Sequence, residues 1–184
     1  MGVSFDVVPP HSEEVLPPGL EPERGAERVA LEKARSVARR MRGALVLGAD
    51  TLVVAEGRVL GKPRDREEAR AFLLLLSGTT HRVVTGIALG RAPDGPWRTG
   101  HDSTGVTMRA IAAAEIEAYL DTGEWKGKAG AYAIQETADR FVTRLEGSRT
   151  NVVGLPVELV AGLLGREGFH VPSRPPIARG GGAG

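Results

Sequence analysis

Ala44-Leu-Val-Leu-Gly-Ala-Asp50-Thr51 is the stretch on which the reading of the fold turns. Its first five residues form an unbroken apolar run, the pattern of a strand covered on both faces. The run ends at Ala49-Asp50-Thr51, so Asp50 is expected near a strand's exit, where open α/β sheets collect ligands. A carboxylate there reads equally well as a turn cap bonded to nearby backbone N–H groups. Upstream, Val29, Ala30, Ala34, Val37, Ala38 and Met41 recur at helical spacing, which predicts an amphipathic helix over Glu23 to Met41. Downstream, Leu52 to Ala55 and Arg58 to Leu60 flank Glu56-Gly57 as a tight hairpin, left by Gly61-Lys62-Pro63.

Further out, Val3 to Val8 alternates like a short half-buried strand, and His11 to Pro22 reads as a Pro-rich surface loop. Asp65 with Glu68 three residues on opens a helix through Leu76 that Gly78 stops. Thr80 to Leu89 and Ser103 to Met108 read as strands, and Ala112 to Asp121 as a helix. Gly130 to Gln135 and Arg140 to Leu145 look strand-like, Gly147 to Gly154 is expected as a loop, and Leu155 to Leu164 as the last helix. The expectation is an α/β fold with a mixed central sheet flanked by helices. Val171 to Gly184, rich in Pro and Gly, is expected to be a disordered tail after a domain over residues 1–170.

A chain of 184 residues is one compact domain, or one domain with two lobes. The 24 Lys and Arg nearly balance the 23 Asp and Glu, so a net charge of +1 supplies no field to hold a nucleic-acid polymer. Aromatic residues at 4% argue against a stacking platform for single strands. No apolar run approaches the ~20 residues a membrane helix needs, and no secretory signal is legible, so a cytoplasmic location is expected. With no Cys, any metal must be held by oxygen or nitrogen. Neither a Walker-type phosphate loop nor a dinucleotide-binding glycine fingerprint occurs, which removes the main support for those enzyme classes.

Several side chains stand out. Lys33 lies on the apolar stripe of its helix, where an ammonium needs an anion or must snorkel to water. Lys62 sits between Gly61 and Pro63, which define its local backbone. Glu13 and Glu14 read as a solvated pair, although a second carboxylate is what a divalent cation beside Asp50 would use. His81, among Thr and Val on a strand, reads as a hydrogen-bonded structural imidazole. Gln135 offers a donor and an acceptor side by side, suited either to a base edge or to tying down a loop.

In order along the chain stand Glu14, Arg28-Val-Ala-Leu-Glu-Lys33-Ala34, Gly48-Ala-Asp50-Thr51 and Gly61-Lys62-Pro63. They are followed by Leu76-Ser-Gly-Thr-Thr-His81-Arg-Val-Val-Thr-Gly86, Lys128-Ala-Gly-Ala-Tyr-Ala-Ile-Gln135 and Glu146-Gly-Ser-Arg-Thr-Asn-Val-Val-Gly-Leu-Pro156. The set closely resembles the Maf family of nucleotide pyrophosphatases over about Gly2 to Gly168. The resemblance implies a two-lobed fold with a central cleft, related to inosine-triphosphate pyrophosphatases. It also implies hydrolysis of a nucleoside triphosphate to the monophosphate and pyrophosphate with a divalent cation, Mg²⁺ or Mn²⁺. By the same resemblance Asp50 is the base and a metal ligand, Glu14 a second metal carboxylate, Lys33 and Lys62 phosphate contacts, and Thr51 and Gln135 substrate-choosing residues. The stretches around His81 and Gln135 look like the branch acting on dTTP and UTP. Related proteins are often homodimers, and the resemblance admits a homodimer here.

Two departures from the family pattern accompany the resemblance. The chain opens after the usual Ser-x-Ser-Pro-Arg-Arg segment, whose strand and helix are expected in the reading frame upstream of Met1. Gln135 is followed by Glu-Thr-Ala-Asp-Arg-Phe141 where glycines are usual. A second reading therefore stands beside the enzyme, a catalytically impaired relative acting as a nucleotide-binding or cell-division interaction protein.

Overall fold

The computed structural model describes residues 3–12, 16 and 19–169. Glu13, Glu14 and the expected tail lie outside the described residues. Five strands form the sheet: β1 Leu45–Ala55, β2 Arg58–Leu60, β3 Thr80–Arg91, β4 Trp97–Met108 and β5 Val142–Glu146. Their order is β2-β1-β3-β4-β5, and every ladder among them is antiparallel. The helices are α1 Pro22–Ala38, α2 Arg66–Leu76, α3 Ala113–Thr122, α4 Arg149–Val153 and α5 Val157–Arg166. The expected α/β fold, a central sheet flanked by helices, is what the chain adopts, with the sheet antiparallel among the described residues where a mixed one is expected from the sequence.

Strand periodicity sorts the two faces. Val46, Leu52 and Val54 of β1, with Val84 and Ala88 of β3, meet Ala26, Ala30, Ala34 and Val37 of α1. On the other face Ile87 and Leu89 meet Val160, Leu163 and Leu164 of α5. Val53 and Val83 join the largest cluster, where Leu73 and Leu76 of α2 pack with Tyr119 of α3 and Phe141. The sheet is thus sandwiched between α1 and the remaining helices.

Glycine decides how closely α1 approaches. A Cβ on Gly86 would stand 2.2 Å from the Ala26 carbonyl carbon, and one on Gly48 would stand 2.4 Å from the Ala30 oxygen. Backbone therefore lies directly on backbone, with alanines as the only spacers on the helix side.

Four expectations about particular stretches also need correction. Asp50 is not at a strand exit, because β1 runs unbroken from Leu45 to Ala55 with Asp50 paired opposite Gly86. The antiparallel partner β3 continues past it on both sides, so no turn intervenes. Val3 to Val8 forms no strand; Phe5 and Val7 are 80% and 84% exposed. The strand-like stretch Gly130 to Gln135 begins in a 3-10 turn, Ala129–Ala131, and continues as irregular backbone, since Gly130 and Ala131 both take positive φ that no ladder accepts. The expected loop Gly147 to Gly154 contains α4, capped by the Ser148 hydroxyl accepting from Asn151 N–H at 3.3 Å.

His81 is a structural imidazole, as its setting in the sequence suggested. It is buried, its Nε2 lies 2.8 Å from the Tyr132 hydroxyl, and burial pushes its pKa from 6.5 down to about 4. The unfolded chain takes up this proton near 6.5, while the folded chain resists until about 4. This contribution is therefore intact above pH 6.5 and declines as pH falls from 6.5 toward 4, to a loss of about 3 kcal/mol. Urea unfolding at neutral pH and at about pH 4.5 should show that decline, and His81→Asn should remove most of the pH slope in this window.

Candidate active site

The cleft arises from a mismatch of strand lengths. β1 pairs along Leu45 to Val54 with β3, but β2 covers only Val53 to Ala55. Beyond Val53, the β2 side of β1 has no strand partner among the described residues, and Asp50 and Thr51 sit on that stretch. A cavity of about 250 Å³ opens beside it. Lys33, Asp50, Thr51, Lys62 and Gln135 all line this cavity, so five sequence candidates converge although they span a hundred residues. Glu14, the sixth, lies outside the described residues.

Lys33 neither snorkels nor lies idle. Its Nζ donates to Asp50 Oδ1 at 2.6 Å, with the two side chains only 14% and 8% exposed. The close seating of α1 on Gly48 and Gly86 sets this distance, because a helix lifted by one side-chain layer would carry the ammonium away. Asp50 and Thr51 are neighbours in a strand and so project to opposite faces. Asp50 meets Lys33 on the α1 side. Thr51 turns toward α4, where a Cβ on Gly154 would lie 3.3 Å from its Oγ1.

The far wall is the segment from Gly127 to Gln135, which also brings Lys128 and Tyr132 to the cavity. It is tied to the Gly61-Lys62 turn by Gly130 N–H donating to the Gly61 carbonyl at 3.1 Å. Gly130 is required there, having φ of +67° and lying so near Val53 that a Cβ would stand 2.9 Å from its Cγ2. Arg149 donates to the Ile134 carbonyl at 3.0 Å and pairs with Asp139, which fixes the backbone beside Gln135. The bulkier sequence after Gln135 is anchored as well: the Glu124 carboxylate accepts from Thr137 N–H at 3.0 Å and from its hydroxyl at 2.6 Å.

Sequence reasoning missed Asn151. It is fully buried and donates to the Val83 carbonyl at 2.9 Å and to Thr104 Oγ1 at 3.0 Å. Its own carbonyl accepts from the Thr85 hydroxyl at 3.0 Å, and Thr85 Oγ1 is 3.0 Å from Thr51 Oγ1. Asn151 thus joins α4 to β3 and β4 beneath the cleft. The signal was present in Ser148-Arg-Thr-Asn151, a helix N-cap followed by an amide at the third position, but glycines at both ends made the stretch look like a loop. Lys128 was also missed as a lining residue; its ion-pair partner Glu136 lies at 3.7 Å.

A divalent cation fits this chemistry. No group of three or more His, Asp or Glu suited to a metal occurs among the described residues. Asp50, however, presents a hard oxygen ligand in the cleft, and Mg²⁺ is commonly held by one or two carboxylates with water and phosphate oxygens completing its shell.

Cleft, sheet and flanking helices together define a small-ligand α/β protein with ammonium and carboxylate groups meeting beside β1. A family model described as Maf-like protein matches residues 1–167. Proteins called dTTP/UTP pyrophosphatase are 45% identical in Pelotomaculum thermopropionicum, over 93% of this chain and 90% of that protein, and 47% identical in Moorella thermoacetica, over 95% and 90%. One from an Anaeromyxobacter species is 48% identical, over 100% of this chain and 90% of its own length. The chain belongs to the Maf family.

Asn151→Ala removes two buried donor interactions, to the Val83 carbonyl and to the Thr104 hydroxyl. The expected loss is about 2–4 kcal/mol of folding free energy, read by urea denaturation.

Proposed function

We propose that the protein is a nucleoside triphosphate pyrophosphatase acting on dTTP and UTP. The observation that carries this reading is the cleft's division of labour: Lys33 and Asp50 on the α1 side, Lys62 on the turn after β2, and the neutral Thr51, Gln135 and Val153 toward α4. A triphosphate needs its charge neutralised, whereas a pyrimidine base needs hydrogen-bonding groups among apolar ones. The names of relatives 41–48% identical point to the same substrates. No helix among the described residues is long and apolar enough to cross a membrane, and a cytoplasmic setting suits an enzyme of free nucleotides.

Water attacks the α-phosphorus, its oxygen forms the new P–O bond, and the bond to the bridging oxygen of the leaving pyrophosphate breaks. Asp50 takes the proton of the attacking water. Lys33, bonded to Asp50 at 2.6 Å, holds that carboxylate in one orientation while presenting its ammonium to the phosphates. Lys62 supplies a second ammonium from the Gly61-Lys62-Pro63 segment after β2. Such a reaction asks mainly for positioning and charge neutralisation. A divalent cation held by Asp50, and by Glu14 as the family resemblance implies, would add charge neutralisation at the phosphate oxygens.

With Mg²⁺ or Mn²⁺ present, dTTP and UTP should yield the monophosphate and pyrophosphate, not orthophosphate. Asp50→Asn keeps the shape but removes the base, so turnover should fall by at least ~100-fold with the far-UV circular dichroism spectrum unchanged. Lys33→Ala and Lys62→Ala should each reduce kcat/KM by roughly 10- to 100-fold. Wild-type rates in Asp50→Asn would remove it from catalysis, and a folded protein releasing no pyrophosphate would remove the activity altogether.

A further inference from the structure

The neutral end of the cleft contains a hydroxyl whose proton direction is fixed from below. Thr85 donates to the Asn151 main-chain carbonyl at 3.0 Å, a bond that can run only one way because a carbonyl has no proton to give. A threonine hydroxyl has one proton, and that of Thr85 is now committed. Thr85 is fully buried, so no solvent competes for it. The 3.0 Å contact between the Thr51 and Thr85 hydroxyls must therefore run from Thr51 to Thr85. Thr51, which lines the cavity, then has only lone pairs to offer a further partner.

We propose that Thr85, which does not itself line the cavity, is a specificity-positioning residue: by accepting the Thr51 hydroxyl hydrogen bond it makes Thr51 an obligate acceptor, so that the cleft selects a pyrimidine whose ring N3 carries a proton. This rests on the pyrophosphatase reading and names the discrimination that the site performs. Uracil and thymine present N3–H and suit such a group. Cytosine presents an unprotonated N3, which would set lone pair against lone pair. Asn151 determines the direction of the chain of hydroxyls, since its carbonyl is the terminal acceptor. Its own position is held by the Val83 and Thr104 bonds.

The test is the ratio of kcat/KM for UTP to that for CTP, measured by pyrophosphate release. Wild-type protein should favour UTP by at least ~10-fold, the scale of one mismatched polar contact. Thr85→Val keeps the shape but frees the Thr51 proton to rotate into the cleft, where it can donate to cytosine N3. The ratio should then fall by about 10-fold, chiefly through better use of CTP. Thr85→Ser, which restores a hydroxyl, should return it toward wild type. A uniform structural loss would lower both substrates together and leave the ratio unmoved, and that outcome overturns the proposal. So does a wild-type ratio near one. Because Thr85→Val replaces a buried polar group, Thr51→Val is measured in parallel: loss of the acceptor should flatten the ratio, and a retained wild-type ratio overturns the proposal without relying on Thr85. Wild-type protein that releases pyrophosphate from neither nucleotide overturns the pyrophosphatase reading as well, so the two failures are distinct.

Discussion

Close contact between α1 and the sheet is the constraint on which the rest depends. Gly86 sits directly opposite Asp50 in the β1–β3 ladder, and Ala26 lies over it at a distance no side chain could share. With Gly48 beneath Ala30, two glycines and a row of alanines bring a helix backbone onto a strand backbone. The ion pair between Lys33 and Asp50 follows from that seating. Its two side chains are only 14% and 8% exposed, so the charges are held together out of solvent. The pair is thus an obligation that small residues in α1, β1 and β3 jointly meet. Its position in the lining of the cleft turns it toward chemistry.

The second constraint is the two-residue period of a strand. Adjacent residues on β1 address different layers: Asp50 faces the helix carrying Lys33, and Thr51 faces the hydroxyl and amide network under α4. Both can reach one ligand only because β2 is three residues long and leaves that edge of β1 uncovered among the described residues. A longer β2 would satisfy more backbone groups and close the cleft. The geometry suits an elongated ligand that is anionic at one end and hydrogen-bonding at the other.

Much of this was legible before any coordinates. The helical spacing around Lys33, the Glu56-Gly57 hairpin and the Asp65 cap all correspond to elements that formed, because each is a local signal that tertiary packing reinforced. Asp50 lines the cleft, though from within a continuous strand and not at the exit that the sequence suggests. Its neighbours Gly48 and Ala49 looked like the end of a run, whereas their smallness serves helix packing within a continuous strand. The stretch after Lys128 misled because its apolar residues are buried by an irregular segment, and periodicity carries no information about positive φ. Asn151 escaped notice because its partners Val83, Thr85 and Thr104 are between 47 and 68 residues distant in sequence.

That irregular segment shows how the site is kept in register. Ala131 takes φ of +65° without being glycine, a conformation that costs a β-carbon-bearing residue about 1–2 kcal/mol. It is fully buried, its N–H donates to the Lys128 carbonyl at 3.1 Å, and the next residue extends Tyr132 to His81 at 2.8 Å. The strain is held in place by contacts on both sides, of which the buried imidazole–phenol bond is the most directional. Relaxing Ala131 toward ordinary extended backbone would swing Tyr132 away from β3 and carry the following Ala133, Ile134 and Gln135 off the cleft. A largely irregular segment is thereby given one conformation, and Gln135, exposed and with no regular element of its own, inherits its placement from Arg149 beside it and from a tyrosine and a histidine buried in the core.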